Sequence, residues 1–198
     1  MSERQTRPRA GRAREFEAIF SACYPRVLGY AIRRTEDRTA AEDAVSETFL
    51  IAWRRLDAVP RDALPWLLGV ARKVLANQRR AAGRRAPDGP LIPLDAVADL
   101  DPRAAVADLV ADRHAFAAAF GALRPADREV LALVSWDGLS AREAAAVLEC
   151  KPATFHLRLH RARRRLLKEL AAAGHSFGER AAGSPNHPRP DATEPRCE

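Results

Sequence analysis

The chain has 198 residues, of which 47% are hydrophobic and 30% charged, enough apolar material for one substantial core or two small ones and too much for a disordered polymer. Its 33 Lys plus Arg outnumber 26 Asp plus Glu, for a net charge of +7 and a pI near 10.1. A polyanion is the indicated partner, nucleic acid ahead of an anionic membrane surface. Only Lys73, Lys151 and Lys168 are lysines, so 30 of the 33 basic residues are Arg, the side chain suited to phosphates and guanine edges. Cys23, Cys150 and Cys197 are odd in number and widely spaced, which points away from a disulfide framework and toward a reducing, cytoplasmic compartment. No run of about 18 apolar residues predicts membrane insertion. No P-loop, GxSxG, HExxH or CxxC is present, and the chain is expected not to be an enzyme and to need no cofactor.

Residues 1–14 carry five Arg and one Glu and read as a basic, disordered arm. Phe16, Ile19, Phe20, Cys23, Val27, Leu28, Ala31 and Ile32 then fall at helical offsets, with Pro25 expected to break or kink the helix. Thr39-Ala40-Ala41-Glu42 reads as a capping box opening a helix to about Leu56, with Val45, Phe49, Ala52 and Trp53 as its core stripe. Its other face carries Asp43, Glu47, Leu50 and Arg54, a mixture that suits either solvent or a protein partner. A third helix starts near Pro65 and buries Leu67, Val70, Ala71, Val74 and Leu75. Opposite lie Trp66, Gly69, Lys73, Asn77, Arg80 and Arg84. An aromatic followed by cations suits a single strand, whose bases stack while its phosphates pair; Trp66 is equally compatible with the core.

Residues 86–101 hold Pro87, Pro90 and Pro93 with Asp88, Asp95, Asp99 and Asp101 and read as an acidic, flexible linker. Asp101-Pro102 is expected to open a helix bearing Val106, Leu109, Val110, Phe116 and Phe120, and Pro125 another through Val130, Leu131, Leu133 and Val134. After Asp137-Gly138, Ser140-Ala141-Arg142-Glu143 forms a second capping box. A turn at Glu149-Cys150-Lys151 leads into a basic helix from about Pro152 to Leu170. Short helix, tight turn and longer basic helix make a helix-turn-helix. In its second helix Phe155, Leu159, Ala162 and Leu166 face inward, leaving Thr154, Leu157, Arg158, Arg161 and Arg165 outward. The fold class is therefore all-α: two small helical domains, 15–85 and 102–170, joined by the linker and followed by a disordered tail, 171–198. Cys150, His156 and His160 do not supply the four tightly spaced ligands of a structural metal site, so no metal is expected.

The segment AEDAVSETFLIAWRRL, followed by PWLLGVARKVLANQRR, resembles region 2 of bacterial sigma factors of the sigma-70 family. LRPADREVLALVSWDGLSAREAAAVL with ATFHLRLHRARRRL resembles region 4. Two such regions with only a short linker between them resemble the extracytoplasmic-function (ECF) group. The resemblance implies a subunit that binds core RNA polymerase, at the clamp helices of the largest subunit and at the flap, and directs promoter recognition, DNA melting and initiation. It assigns Asp43, Glu47, Leu50 and Arg54 to polymerase; Trp66, Lys73, Asn77, Arg80 and Arg84 to the minus-ten element; and Ser140, Thr154, His156, Leu157, Arg158, Arg161 and Arg165 to the minus-thirty-five element. Within the last set, His156, Leu157 and Arg161 fall at base-reading positions and Arg158 at a phosphate position. It also implies an anti-sigma factor as partner. The chain departs from the family's pattern at Glu149, where a turn glycine is common, and at His156 and Leu157, where a basic and a small polar residue are common. Without the resemblance, the helix-turn-helix also fits a free-standing transcriptional regulator.

Overall fold

The computed structural model describes residues 9–35, 37–81, 83 and 106–172. Among these are seven α-helices: α1 (Arg9–Ile32), α2 (Arg38–Arg54), α3 (Ala63–Ala81), α4 (Val106–Ala122), α5 (Pro125–Ser135), α6 (Ala141–Val147) and α7 (Pro152–Ala172), with a 3-10 turn at Leu56–Ala58. The first three pack on one another as one lobe and the last four as a second. Helix α3 also lies against α6, so the two cores join into a single buried cluster running from Cys23 to Ala162. No described helix is long and apolar enough to cross a membrane.

Several expectations are corrected. Helix α1 begins at Arg9, inside the arm expected to be disordered, and Arg12 reaches Asp57 at 2.8 Å. Pro25 does not break α1; the bond it forfeits, a cost of about 3 kcal/mol, is offset by burial of Cys23, Val27, Tyr30 and Ala31 around it. Helix α2 is capped by Asp37 rather than Thr39: the Asp37 carboxylate accepts from Thr39 N and Ala40 N at 3.0 and 3.3 Å, since a carboxylate at the helix start also meets the positive end of the helix dipole. Trp53, expected in the core, is 36% exposed and rests edge-on against Phe16 at 5.2 Å. Helix α7 runs to Ala172, two residues into the tail expected at 171–198; the linker 86–101, the start expected at Asp101-Pro102, Arg84 and the rest of the tail lie outside the described residues.

The second lobe follows local rules. Pro125 occupies the first turn of α5. Gly138, with φ of 63°, turns the chain after α5. The capping box of α6 is complete, Ser140 Oγ accepting from Glu143 N at 3.3 Å and Glu143 Oε2 from Ser140 N at 2.7 Å. Hydrogen bonds from the Ser140 side chain and then from its backbone N–H hold the Glu143 carboxyl below its ordinary range. Glu149 takes the left-handed φ of 51° in the helix-turn-helix turn, the conformation a glycine would adopt there without strain. Phe155, Leu159 and Ala162 of α7 are buried and Leu166 packs against the core, as their four-three-four spacing requires.

Ser140→Ala should lower the unfolding free energy by about 1 kcal/mol, read from urea denaturation. Glu143 then loses the Ser140 side-chain hydrogen bond, the larger cause of its depressed carboxyl, and keeps the backbone one, so the difference from native should shrink as pH falls below the ordinary glutamate range and through the depressed native one, where the native cap is itself protonated.

Candidate functional site

Three surfaces carry the residues singled out above. On α2, Ala41, Ala44, Val45, Thr48, Phe49 and Ala52 are buried, which turns Asp43, Glu47, Leu50 and Arg54 outward as one exposed strip. Leu50 is 47% exposed. Trp53, one helical turn from Leu50, adds an exposed aromatic edge that the apolar periodicity assigned to the core; its only signal in the sequence is the three-residue spacing from Leu50. A shallow cleft lined by Glu47, Arg54, Trp66, Lys73 and Asn77 connects this strip to α3.

On α3, Trp66 is half-buried while Lys73, Asn77 and Arg80 are exposed, and Arg80 Nη2 donates to Asn77 Oδ1 at 2.8 Å. This face is not open along its length. The backbone of Val147 in α6 lies over Gly69, and Lys73 is held by the carboxylate of Glu149 in the helix-turn-helix turn. That hydrogen bond, ahead of the charge attraction, holds the Glu149 carboxyl below its ordinary range. The second lobe therefore covers part of the surface assigned to a single strand.

Asp137 is the most deeply buried of the carboxylates that bond across the seam. Its carboxylate is 2% exposed and accepts from Arg33 and, at 2.8 Å, from Arg34, while its carbonyl accepts from Arg26 Nη2 at 2.6 Å. Arg34 also stacks its guanidinium 3.5 Å above the Tyr30 ring. A second ion pair, Arg72 Nε to Glu129 Oε1 at 2.7 Å, crosses nearby.

On α7, Thr154, His156, Leu157, Arg158 and Arg161 all point to solvent, with Leu157 49% exposed. Ser140 is exposed at the start of the preceding helix. Arg165 is placed differently from its neighbours: its guanidinium is held by both oxygens of Asp127 in α5, at 2.8 and 2.6 Å, and so braces α7 against the lobe. Cys150 is partly buried against the core and His156 and His160 are exposed; among the described residues no three His, Cys, Asp or Glu side chains are grouped to hold a metal.

Asp137→Ala leaves two arginines facing a dry seam without their carboxylate, a loss worth roughly 3–5 kcal/mol where the charges cannot escape. Arg33 and Arg34 sit at the end of α1 and can reach water if the lobes part. The expected result is a larger radius of gyration by small-angle scattering at unchanged helical circular dichroism; an unaltered radius would mean that this carboxylate does not hold the lobes together. The Lys73–Glu149 bond should weaken as pH falls below the ordinary glutamate range and through the depressed range of Glu149, because a depressed carboxyl contributes only while ionised, and it should weaken with added salt at any pH.

Each lobe matches a known family model. Residues 19–85 match the family model for Sigma-70 region 2, and residues 113–166 match that for Sigma-70 region 4. The ECF RNA polymerase sigma factor SigL of Mycobacterium tuberculosis is 34% identical over 147 residues, 71% of this chain and 82% of that protein. The RNA polymerase sigma-H factor of Pseudomonas aeruginosa is 29% identical, over 83% of this chain and 90% of its own. The "Probable RNA polymerase sigma factor RfaY" of Xanthomonas campestris is 30% identical over 87% of this chain, which spans only 44% of that protein. Among solved structures, CnrH in complex with the cytosolic domain of CnrY superposes with a TM-score of 0.56 at 27% identity, covering 82% of this chain and 92% of CnrH. The sigma factor RpoE of Bartonella quintana, solved with the anti-sigma factor NepR, shares the fold with a TM-score of 0.55 at 23% identity over 79% of this chain and 97% of its own. The chain belongs to the sigma-70 family of RNA polymerase sigma factors, in the ECF group.

Proposed function

We propose that this sigma factor docks on core RNA polymerase through the Asp43, Glu47, Leu50 and Arg54 strip of α2, on the clamp helices of the largest subunit, with the second lobe engaging the flap. The observation that carries this reading is the strip itself: a folded helix that buries six residues on one side leaves an exposed leucine among acids and a base on the other, the composition of a protein-binding patch with an apolar centre and charged rim. Trp53 extends the same surface. Helix α3 then takes the nontemplate strand of the minus-ten element, Trp66 stacking and Lys73, Asn77 and Arg80 meeting phosphates. Helix α7 reads the minus-thirty-five duplex, His156, Leu157 and Arg161 at base edges and Arg158 at the backbone. The protein directs a catalyst and performs no chemistry of its own.

Because α6 overlies Gly69 and Glu149 holds Lys73, α3 engages a strand only after the lobes separate. The closed arrangement is thus the form before polymerase and promoter engagement. CnrH was solved with the cytosolic domain of CnrY and RpoE with the anti-sigma factor NepR, and the fitting regulator of this chain is an anti-sigma protein.

Glu47→Arg combined with Leu50→Asp alters only exposed positions, so the melt should stay within about 0.5 kcal/mol of the native protein. A reversed charge and a desolvated carboxylate at the interface should weaken retention by core polymerase by about 2–5 kcal/mol and abolish run-off transcription. A folded double mutant that binds polymerase normally removes α2 as the docking site. Arg161→Ala should cost about 1–3 kcal/mol at particular base pairs of the upstream element, whereas Arg158→Ala should weaken all sequences alike; the two are separated by binding to a panel of mutated duplexes.

A further inference from the structure

Between the lobes, beside the Arg72–Glu129 pair, lies a cleft of about 250 Å³ lined by Tyr30, Arg34, Arg72, Arg79, Arg128 and Glu129. Four arginines line it with the Glu129 carboxylate, and Asp137 behind them is shared by Arg33 and Arg34. Glu129 is already engaged by Arg72 through two bonds, at 2.7 and 3.3 Å, and Arg79 has no partner among the described residues. Deep in the wall, Tyr30 is fully buried, yet its hydroxyl finds no hydrogen-bond partner among the described residues. The same holds for Nε of Arg34, whose side chain is 4% exposed and whose two other nitrogens are used by the Tyr30 carbonyl and Asp137. Buried donors are ordinarily satisfied, and a surplus of buried cations is ordinarily neutralised. The shortage here is of acceptors, at the Tyr30 hydroxyl and Arg34 Nε, beside the half-exposed cation of Arg79.

The remaining features agree in sign. Burial pushes the Tyr30 hydroxyl up to about 12, so it keeps its proton and offers it as a donor at neutral pH. Pro125 and Ala126, the first residues of α5, line the same cleft, bringing the positive end of a helix to it. Guanidinium groups suit phosphate oxygens by geometry as well as charge. The volume is several times the ~30 Å³ share of one water in the liquid, large enough for a phosphate or diphosphate and too small to enclose a nucleotide.

We propose that this cleft is a binding site for a phosphate-class oxyanion with room for a diphosphate, held by Tyr30, Arg34, Arg72 and Arg79 of the first lobe and the start of α5 in the second. The ligand bridges both lobes, so it binds the closed form in preference to the separated one and shifts the population toward closure. Its effect on transcription rests on the function proposed above; binding itself does not.

The test uses the full chain, titrated calorimetrically with inorganic phosphate, diphosphate and ADP, with sodium chloride at matched ionic strength as control. Diphosphate should bind one to one at submillimolar concentration and raise the melting temperature. Tyr30→Phe removes only an unpartnered hydroxyl and Arg79→Ala only a half-exposed cation; each should weaken diphosphate binding about tenfold while leaving the ligand-free melt close to native. Arg163→Ala, on the outer surface of α7, should change nothing. Equal affinity for ADP identifies the diphosphate end of a nucleotide as an accepted source, and binding of diphosphate without ADP identifies the free anion. Absence of one-to-one binding overturns the proposal, as does binding that survives both Tyr30→Phe and Arg79→Ala, since that is general attraction to a basic surface. Binding that appears only after Asp88, Asp95, Asp99 and Asp101 are changed to Asn overturns it in favour of the chain's own carboxylates. Failure of the polymerase reading would show in retention by core polymerase and leave this titration unaffected.

Discussion

The arrangement of the two lobes depends on one carboxylate. Asp137 is buried at the seam, takes Arg33 and Arg34 on its side chain and Arg26 on its carbonyl, and follows directly on the end of α5, where Gly138 reverses the chain. A buried ion pair contributes little net stability, because the desolvation of its charges consumes most of the attraction. It contributes specificity instead. Three arginines of α1 and its following turn meet a single aspartate, so the second lobe has one orientation in which the charges are satisfied. Separation returns them to water at modest cost. A seam built this way favours one closed geometry without locking it shut.

The same economy explains why α3 faces two masters. Its inner stripe, Leu64, Leu67, Leu68, Ala71, Val74 and Leu75, is committed to the joined core. Its outer face is divided. Gly69 and Lys73 are under α6 and the turn at Glu149, while Asn77 and Arg80 remain in solvent. Lys73 bonds to an exposed glutamate, a contact worth little against a DNA phosphate in the same position. A polyanion thus competes for the face from its open end and displaces the weakest contact first, whereas the Asp137 cluster yields only when the lobes move as bodies.

What was legible in the sequence was local. The Ser140–Glu143 box, Pro125 in the first turn of α5, the Glu149 turn and the inward spacing of Phe155, Leu159 and Ala162 are set by residues within one or two helical turns, and the structure has them where the pattern put them. The exposed strip of α2 follows from the same periodicity. Where neighbours in sequence compete, the reading slipped: Asp37 outdoes Thr39 as a cap because a carboxylate meets the helix dipole with full charge, and Trp53 stands at the rim because α1, starting as early as Arg9, presents Phe16 to its edge rather than covering it. Pro25 is tolerated inside α1 for a tertiary reason, the burial on either side of it. The seam was illegible altogether. Arg34 and Asp137 are 103 residues apart, and no periodicity relates them.

That distance also changes the meaning of the composition. Thirty arginines in a chain with three lysines read as a surface for nucleic acid, and on α7 Arg158 and Arg161 are exposed as that reading requires. Yet Arg26, Arg33, Arg34, Arg72, Arg128 and Arg165 are engaged by the protein itself, Arg34 and Arg128 at 6% and 1% exposure. A lysine at Arg34 or Arg128 would tend to lose its proton to burial, whereas a guanidinium keeps its charge and spreads its donors over several acceptors. Arginine is therefore selected twice in this fold, for opposite reasons: outside because it meets a polyanion, and inside because it is the cation that survives desolvation. The basic balance of the chain overstates the charge available to DNA, and part of the difference is the charge that holds the lobes in register.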